Sequence, residues 1–292
     1  MKMLKLLVAL LLLVSGGAAQ AQTLKIATIA PDGTTWMNAM RAGADEIETR
    51  TEGRVKLKFY PGGIMGSDQS VLKKIRIGQL QGGALTSGSI AEIYRDAQIY
   101  SLPFLFRDYD EVDYVRERMD AAIEQGLEEH GFVAVGLSEG GFAYLMADKP
   151  VRSVDDVSDQ KVWLPQGDKI TAAIYDTVGI SPVTLPISDV YTGLQTGLID
   201  TIGSTPTAAI AFQWHTRLQN VTDIPLMYIM GMMVIEKRAF SRLSAGDQAV
   251  VHDVMGGVFA SLDERTRSDN RQAREALAAQ GIQFVAPSAG EL

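Results

Sequence analysis

The chain has 292 residues, with 27 lysine and arginine residues against 35 aspartate and glutamate residues, a formal net charge of −8 at pH 7. The acidic excess argues against nucleic acids as partners, and the absence of cysteine excludes disulfides, thiol catalysis and cysteine-ligated zinc. A hydrophobic fraction of 46% with 21% charged residues is typical of a folded protein, and the length suits two hydrophobic cores.

Residues 1–21 have the three parts of a secretory signal peptide. Lys2 and Lys5 form the charged start, Leu6–Val14 is apolar, and Ala19–Ala21 provides small residues for cleavage after Ala21. The apolar run is about half the roughly 20 residues that span a bilayer. We therefore predict export to the periplasm and a mature chain that is not inserted in the membrane.

The N-terminal half alternates apolar strand patterns with helical patterns. The predicted elements are strand Leu24–Ile29, helix Trp36–Thr49, strand Arg54–Tyr60, a helix capped by Ser67 or Asp68 and ending at Arg76, strand Gly82–Thr86, a buried apolar segment Leu102–Phe106 and helix Asp110–Glu129. This alternation predicts a parallel α/β sheet.

A second series of strands and helices follows, and it predicts a second core. The predicted elements are strand Phe132–Leu137, a turn Ser138–Gly141, strand Phe142–Ala147, strand Val162–Leu164, helix Ile170–Val178, extended segment Ser181–Leu185, a helix capped by Ser188 or Asp189 and ending at Thr196, the methionine-rich apolar segment Leu226–Ile235, a long helix Ser244–Ala279 broken at Gly256–Gly257, and a final strand near Gly281–Val285. Because nothing closes this last unit, we expect the natural C-terminus to lie further on.

One catalytic motif needs consideration. Gly136–Gly140 fits the G-x-S-x-G pattern of serine hydrolases, with His215 and His252 later in the chain. That pattern requires a sharp strand-to-helix turn that exposes Ser138, whereas a strand pattern follows here. A glycine-rich turn is the favoured interpretation, and neither a metal site nor a cofactor motif is predicted.

Five segments together indicate a family. LKIATIAPDGTTWMNAM, TEGRVKLKFYPGGIMGSDQSVLKKIRIGQL and YSLPFLFRDYDEV resemble, in order and spacing, the opening of the solute receptors of tripartite ATP-independent periplasmic (TRAP) transporters. ADKPVRSVDDVSDQKVWLP resembles that family's lobe-crossing region. VYTGLQTGLID, followed by Pro206, resembles its ligand-contacting helix and loop.

The resemblance implies a two-lobe α/β periplasmic binding protein (Venus-flytrap) fold, with mixed sheets flanked by helices and a long bracing helix. It places lobe I at residues 22–143 and 229–258 and lobe II at residues 144–228 and 259–292. The implied function is capture of a small organic solute by lobe closure, without catalysis, and delivery to the small and large membrane subunits of the transporter. Two alternatives stay open: a secreted hydrolase using Ser138, and a ligand-sensing receptor for a membrane kinase.

Three positions depart from the family pattern. Trp163 stands where the family has the arginine that clamps a substrate carboxylate, and a second family arginine is missing from Phe142–Tyr144. The loop Asp200–Pro206 lacks the family's amide, for which Ser204 or Thr205 can substitute. Because an indole offers one N–H and a stacking surface instead of a bidentate cation, we expect a solute less acidic than a dicarboxylate.

The resemblance and the polar groups at predicted strand ends and helix starts define a candidate ligand site. Its residues are Trp36, Thr86, Ser87, Glu139, Tyr144, Trp163, Gln166, Ile187, Ser188, Ser204, Thr205 and Tyr228. Trp36 is equally expected to be a core residue. For Glu139, which could bind a cationic group, an exposed turn residue is the favoured interpretation. For Ser188 the alternative is a plain helix cap, and for Tyr228 it is packing at the hinge.

Overall fold

The computed structural model describes residues 21–288. The predicted signal peptide therefore lies outside the described residues, apart from Ala21. Within the described range, no helix is both long enough and apolar enough to cross a membrane.

The elements alternate along the chain as predicted. The strands are β1 (Gln22–Thr28), β2 (Val55–Tyr60), β3 (Gly82–Thr86), β4 (Phe132–Ala147), β5 (Trp163–Pro165), β6 (Val183–Leu185), β7 (Thr201–Ser204), β8 (Asn220–Thr222), β9 (Met227–Glu236) and β10 (Gln283–Val285). The α-helices are α1 (Thr35–Arg50), α2 (Asp68–Arg76), α3 (Ser87–Ile90), α4 (Tyr109–Glu129), α5 (Val154–Ser158), α6 (Lys169–Thr177), α7 (Val190–Thr196), α8 (Pro206–Ala211), α9 (Lys237–Phe240) and α10 (Ala245–Ala279).

The main sheet is mixed. Its strand order is β10-β8-β4-β9-β3-β1-β2, with β7 pairing the far end of β4. β1 is parallel to both β2 and β3, whereas β9 is antiparallel to β3 and to β4. β8 and β10 are also parallel, whereas β4 is antiparallel to β7, β8 and β9. The expectation of a parallel sheet therefore holds for β2-β1-β3 and β8-β10 but not for the centre of the main sheet. β5 and β6 form a separate parallel pair beside β7.

Hydrophobic packing divides the chain into two lobes. In lobe I, apolar side chains of α2, α3 and α4 cover one face of the sheet, and those of α1 and α10 cover the other. In lobe II, two further clusters form around the end of β4, β7, β8, α5, α7 and α8. The predicted two-lobe α/β fold is confirmed.

β4 is one strand of 16 residues, so the predicted turn at Ser138–Gly141 is wrong. Its pairing with β9 continues from Phe132 to Ala143, interrupted by register shifts at Ala134/Gly136 and Glu139/Gly141. Bulges of this kind bend and twist a strand without ending it. The glycines that suggested a turn instead allow the strand to bend between the two lobes.

α10 is continuous over 35 residues, so the predicted break at Gly256–Gly257 is wrong. Both glycines lie on the exposed face, where a Cβ would have no neighbour within 4 Å. Glycine costs a helix about 1 kcal/mol per residue, and packing against both lobes compensates for this. α10 contacts α1 in lobe I and α8 in lobe II, which confirms the predicted long helix.

The segment Leu102–Phe106 is only partly buried, contrary to the prediction. Phe104 and Leu105 are 52% and 43% exposed, whereas Phe106 is buried. Phe104 has φ of 55°, and its backbone N–H donates to the carbonyl of Leu226 at 2.9 Å. This left-handed turn points neighbouring apolar side chains in different directions, which a sequence pattern does not reveal.

Candidate functional site

The carboxyl end of β3 places Thr86 and Ser87 at the edge of lobe I. The backbone N–H and the hydroxyl of Thr86 donate to Asp68 Oδ2, at 2.9 and 3.0 Å. Ser87 Oγ lies 2.6 Å from Ser101 Oγ. Ligands of open α/β sheets bind at the carboxyl ends of parallel strands, which is where these groups lie.

Asp68 is a candidate that the sequence analysis missed. Asp68 is 7% exposed, and its Oδ1 has no hydrogen-bond partner among the described residues. Burial raises the pKa of this carboxyl group, and the Thr86 hydrogen bonds partly oppose the shift. Asp68 follows Ser67, so the sequence showed only an ordinary capped helix start, and no local signal marked it as a site residue.

In lobe II, two predicted site residues converge on one carbonyl. The indole N–H of Trp163 donates to Leu185 O at 3.0 Å, and the backbone N–H of Gln166 donates to the same oxygen at 3.2 Å. Trp163 is 5% exposed and packs edge-to-face on Trp214, with ring centroids 5.5 Å apart. The indole N–H is therefore hydrogen-bonded within the protein, and the ring is part of the core of lobe II.

Ile187 and Ser188 follow Leu185 in a short 3₁₀ helix. Ile187 packs against the lobe II core, and the exposed Ser188 donates to Asp189 Oδ1 at 3.0 Å. Asp189 occupies the N-cap position of α7, as predicted, but its side chain makes no capping hydrogen bond to the helix. Trp163, Gln166, Ile187 and Ser188 therefore lie close together at one edge of lobe II.

The two lobes touch near these groups. Gly167 follows Gln166, and a side chain at Gly167 would overlap the amide of Gln69 in α2 of lobe I. Gln69 in turn donates to Glu92 at 2.8 Å. The Asp68–Thr86 edge of lobe I therefore lies close to the β5–α6 turn of lobe II.

Tyr144, Ser204 and Thr205 lie where β4 enters lobe II. Tyr144 is the register partner of Ser204, and the Arg274 guanidinium lies 5.7 Å from the Tyr144 ring centroid. Ser204 Oγ donates to Thr205 O at 3.1 Å, and Thr205 Oγ1 accepts from the backbone N–H of Ala208 at 3.2 Å, which caps α8. Both hydroxyls are buried and serve the local backbone.

Tyr228 is fully buried in an aromatic cluster. Its ring packs edge-to-face on Phe106, Tyr109 and Phe142, with centroids 5.8, 6.5 and 5.5 Å away. Its hydroxyl has no hydrogen-bond partner among the described residues, and burial raises the pKa of the phenol strongly. Tyr228 therefore packs where the strands cross between the lobes, which agrees with the alternative interpretation of this residue as hinge packing.

Glu139 is buried, so its interpretation as an exposed turn residue is wrong. Its side chain is 0% exposed and pairs with Arg116 of α4 at 3.2 Å and with Arg267 of α10, whose Nε donates at 2.8 Å. The backbone N–H of Glu139 donates to Asp263 Oδ1 at 2.8 Å. Two arginines therefore pair with this carboxylate, which ties β4 to both helices.

Trp36 and Ser138 complete the predicted candidates. Trp36 is half-buried in the first turn of α1 and packs edge-to-face on Phe259 of α10, with centroids 6.0 Å apart. Ser138 lies in the middle of β4, is 1% exposed, and its Oγ has no partner among the described residues. The nucleophile elbow that a hydrolase requires is not formed at Ser138, because the backbone remains an extended strand.

The sequence matches one protein family over most of its length. Residues 26–292 match the model of the "Bacterial extracellular solute-binding protein, family 7". The chain is 22% identical over 289 residues to a sialic acid-binding periplasmic protein of Vibrio cholerae, covering 97% of this chain and 89% of that protein. It spans 63% of the length of the first curated relatives that it matches.

Solved structures share the fold. A TRAP periplasmic solute-binding protein from Citrobacter koseri with bound D-glucuronate superposes with a TM-score of 0.85 at 22% identity, covering 92% of this chain and 91% of that one. A solute receptor of Bordetella pertussis that binds pyroglutamic acid also gives 0.85, at 21% identity, covering 92% and 89%.

Proposed function

We propose that this chain, which belongs to family 7 of the bacterial extracellular solute-binding proteins, captures a small organic solute by closing its two lobes. Sequence relatives of this chain are named periplasmic binding proteins. We propose accordingly that residues 1–21 direct export and are removed, and that the receptor delivers its solute to the small and large membrane subunits of a TRAP transporter.

The observation that carries this proposal is the connection between the lobes. β4 and β9 run side by side from the lobe I sheet to the lobe boundary, and the end of β4 continues into lobe II. Paired crossing strands allow two rigid lobes to rotate about a few bent positions. The Asp68–Thr86 edge and the Gln166–Ser188 edge lie close together, and closure would hold a solute between them. The strand crossing supports lobe limits near residues 143–144 and 228–229.

The side chains of lobe II support a solute that is not a dicarboxylate clamped by an arginine. By its resemblance to the family pattern, Trp163 aligns with the clamping arginine, and its single N–H donates to Leu185 O. On the lobe I side, the unpartnered Oδ1 of Asp68 favours a hydrogen-bond donor over a second carboxylate. We propose a solute of the size of a uronate or pyroglutamate, with a weaker or single acid group and hydroxyl or amine donors.

A thermal-shift screen tests this proposal directly. A solute that binds only the folded state raises the melting temperature by mass action. The library should pair each dicarboxylate with a monocarboxylate, a neutral analogue and an amine of similar size. We expect the monocarboxylate, neutral or zwitterionic compounds to give the largest shifts, and calorimetry should confirm one site per chain.

Two results would contradict the proposal. Dicarboxylates as the best ligands would overturn the solute class while leaving the receptor function intact. Absence of any stabilising solute, combined with fluorophosphonate labelling that is lost in Ser138→Ala, would instead favour the hydrolase.

A further inference from the structure

One face of α10 grips β4 at its bend. Asp263, Arg267 and Asn270 are spaced by four and three residues, which places them on the same side of a helix. All three contact β4 between Glu139 and Gly140: Asp263 and Arg267 bond Glu139, and Asn270 bonds Gly140. These polar contacts attach the helix to the strand at Glu139 and Gly140.

That point is the second bulge of β4. Glu139 pairs with Met230 and Gly141 with Ile229, so Gly140 between them has no cross-strand partner. The Asn270 Nδ2 donates to the Gly140 carbonyl at 3.0 Å. Gly141 has φ of 92°, and a side chain there would crowd the Asn270 amide, so glycine lets the amide reach the bulge.

The other end of the same amide holds lobe II. Asn270 Oδ1 accepts from the backbone N–H and the hydroxyl of Thr207, at 3.3 and 2.9 Å. Thr207 lies in the first turn of α8, two residues after Thr205 of the candidate ligand loop. Asn270 Nδ2 also donates to Thr266 O at 3.1 Å, so this 7% exposed amide is fully hydrogen-bonded.

We propose that Asn270 is the positioning residue that couples the ligand loop of lobe II to the β4 bulge. Lobe II and the adjoining part of α10 then rotate about the bulge as one body when the lobes close, which rests on the proposed closing function. The coupling requires an amide, because a carboxylate cannot donate to the Gly140 carbonyl and an alanine can neither donate nor accept.

Spin-label distances between the lobes test this role without a ligand. The chain has no cysteine, so Arg76→Cys in lobe I and Asp176→Cys in lobe II, both exposed, introduce two unique labelling sites. The labelled protein is compared with the same pair carrying Asn270→Asp, Thr207→Val or the control Gln272→Glu. Gln272 is an exposed amide on α10 that bonds only Ser268 of its own helix among the described residues.

We expect Asn270→Asp to raise the population of a second interlobe distance about tenfold, the effect of losing a buried hydrogen bond. Thr207→Val removes one of two bonds and should give a smaller change in the same direction. Gln272→Glu should leave the distribution unchanged. Circular dichroism establishes that each variant is folded.

A wild-type distance distribution in folded Asn270→Asp and Thr207→Val would overturn the proposal. If Asn270→Asp fails to fold, Thr207→Val decides, since it keeps the backbone bond to Asn270. Loss of melting temperature without any change in distances would identify Asn270 as a purely stabilising residue and equally overturn the role. Because the readout needs no solute, a failed ligand screen would bear on the receptor function alone.

Discussion

Replacing Trp163 with alanine distinguishes a core role from a ligand-binding role for this residue. The indole is 5% exposed, packs on Trp214 and donates to Leu185 O. Truncating a buried tryptophan costs about 3–5 kcal/mol of folding free energy. At roughly 2–4 °C per kcal/mol for a chain of this size class, the melting temperature should fall by roughly 10 °C.

Trp163→Phe separates the ring from the N–H. It keeps an aromatic ring to pack on Trp214, and the Leu185 carbonyl keeps its bond from the Gln166 backbone. We therefore expect a loss of only about 1 kcal/mol. Far-UV circular dichroism during urea unfolding measures both variants without relying on tryptophan fluorescence, which the substitutions change.

Trp163→Arg adds a ligand-based readout. A guanidinium on β5 should disturb the lobe II core, because it places a charge where the indole is now buried. Two results together would refute this reasoning: a Trp163→Ala variant that unfolds within about 1 kcal/mol of wild type, and a Trp163→Arg variant that folds normally and binds carboxylates more tightly. The indole would then face the solute.

Three further predictions follow from burial and packing. Burial raises the pKa of Asp68, so folding favours its protonated form, and the stability that this group contributes declines as pH rises through the folded pKa. The melting temperature of Asp68→Asn should therefore increase relative to that of wild type as pH is raised above about 4, and a difference that does not change with pH would contradict this. Gly136→Ala should destabilise by about 1–3 kcal/mol in urea unfolding, because its Cβ would overlap the Phe259 ring. The matched Gly257→Ala, on the exposed face of α10, should instead stabilise by about 0.5–1 kcal/mol.

The regular elements could be predicted because each carries its own local signal. The helix that begins at Thr35 has Thr34 as its cap, with the hydroxyl accepting from the Met37 N–H at 3.2 Å, and its apolar positions recur at helical spacing. Strand β3 was predicted with its observed limits, Gly82–Thr86. Such patterns depend on neighbours in sequence, so a single chain displays them.

The site was harder to predict because residues far away in the sequence determine whether its polar groups are buried and what they bond. Glu139 lies in a glycine-rich stretch with the composition of an exposed turn. In the structure it is buried in β4 and pairs with Arg116 and Arg267, which are 23 and 128 residues away along the chain. Trp163 similarly aligned with a ligand-clamping position, whereas its N–H partner lies 22 residues later. No local pattern specifies such pairs.

The bulges of β4 combine a local sequence signal, the glycines, with a distant partner, Asn270. A strand that must pass between two lobes needs a bend, and glycines at 136, 140 and 141 permit one without ending the hydrogen-bonded ladder. A bend also leaves Gly140 without a ladder partner, and the carbonyl of this partly buried residue needs another donor. The side-chain amide of Asn270 is that donor, and its oxygen accepts a hydrogen bond from Thr207 of lobe II. The residue that bonds the Gly140 carbonyl at the bend is therefore also the residue that lobe II is attached to. The same glycines that suggested a turn in the sequence therefore mark the position about which the lobes are expected to move.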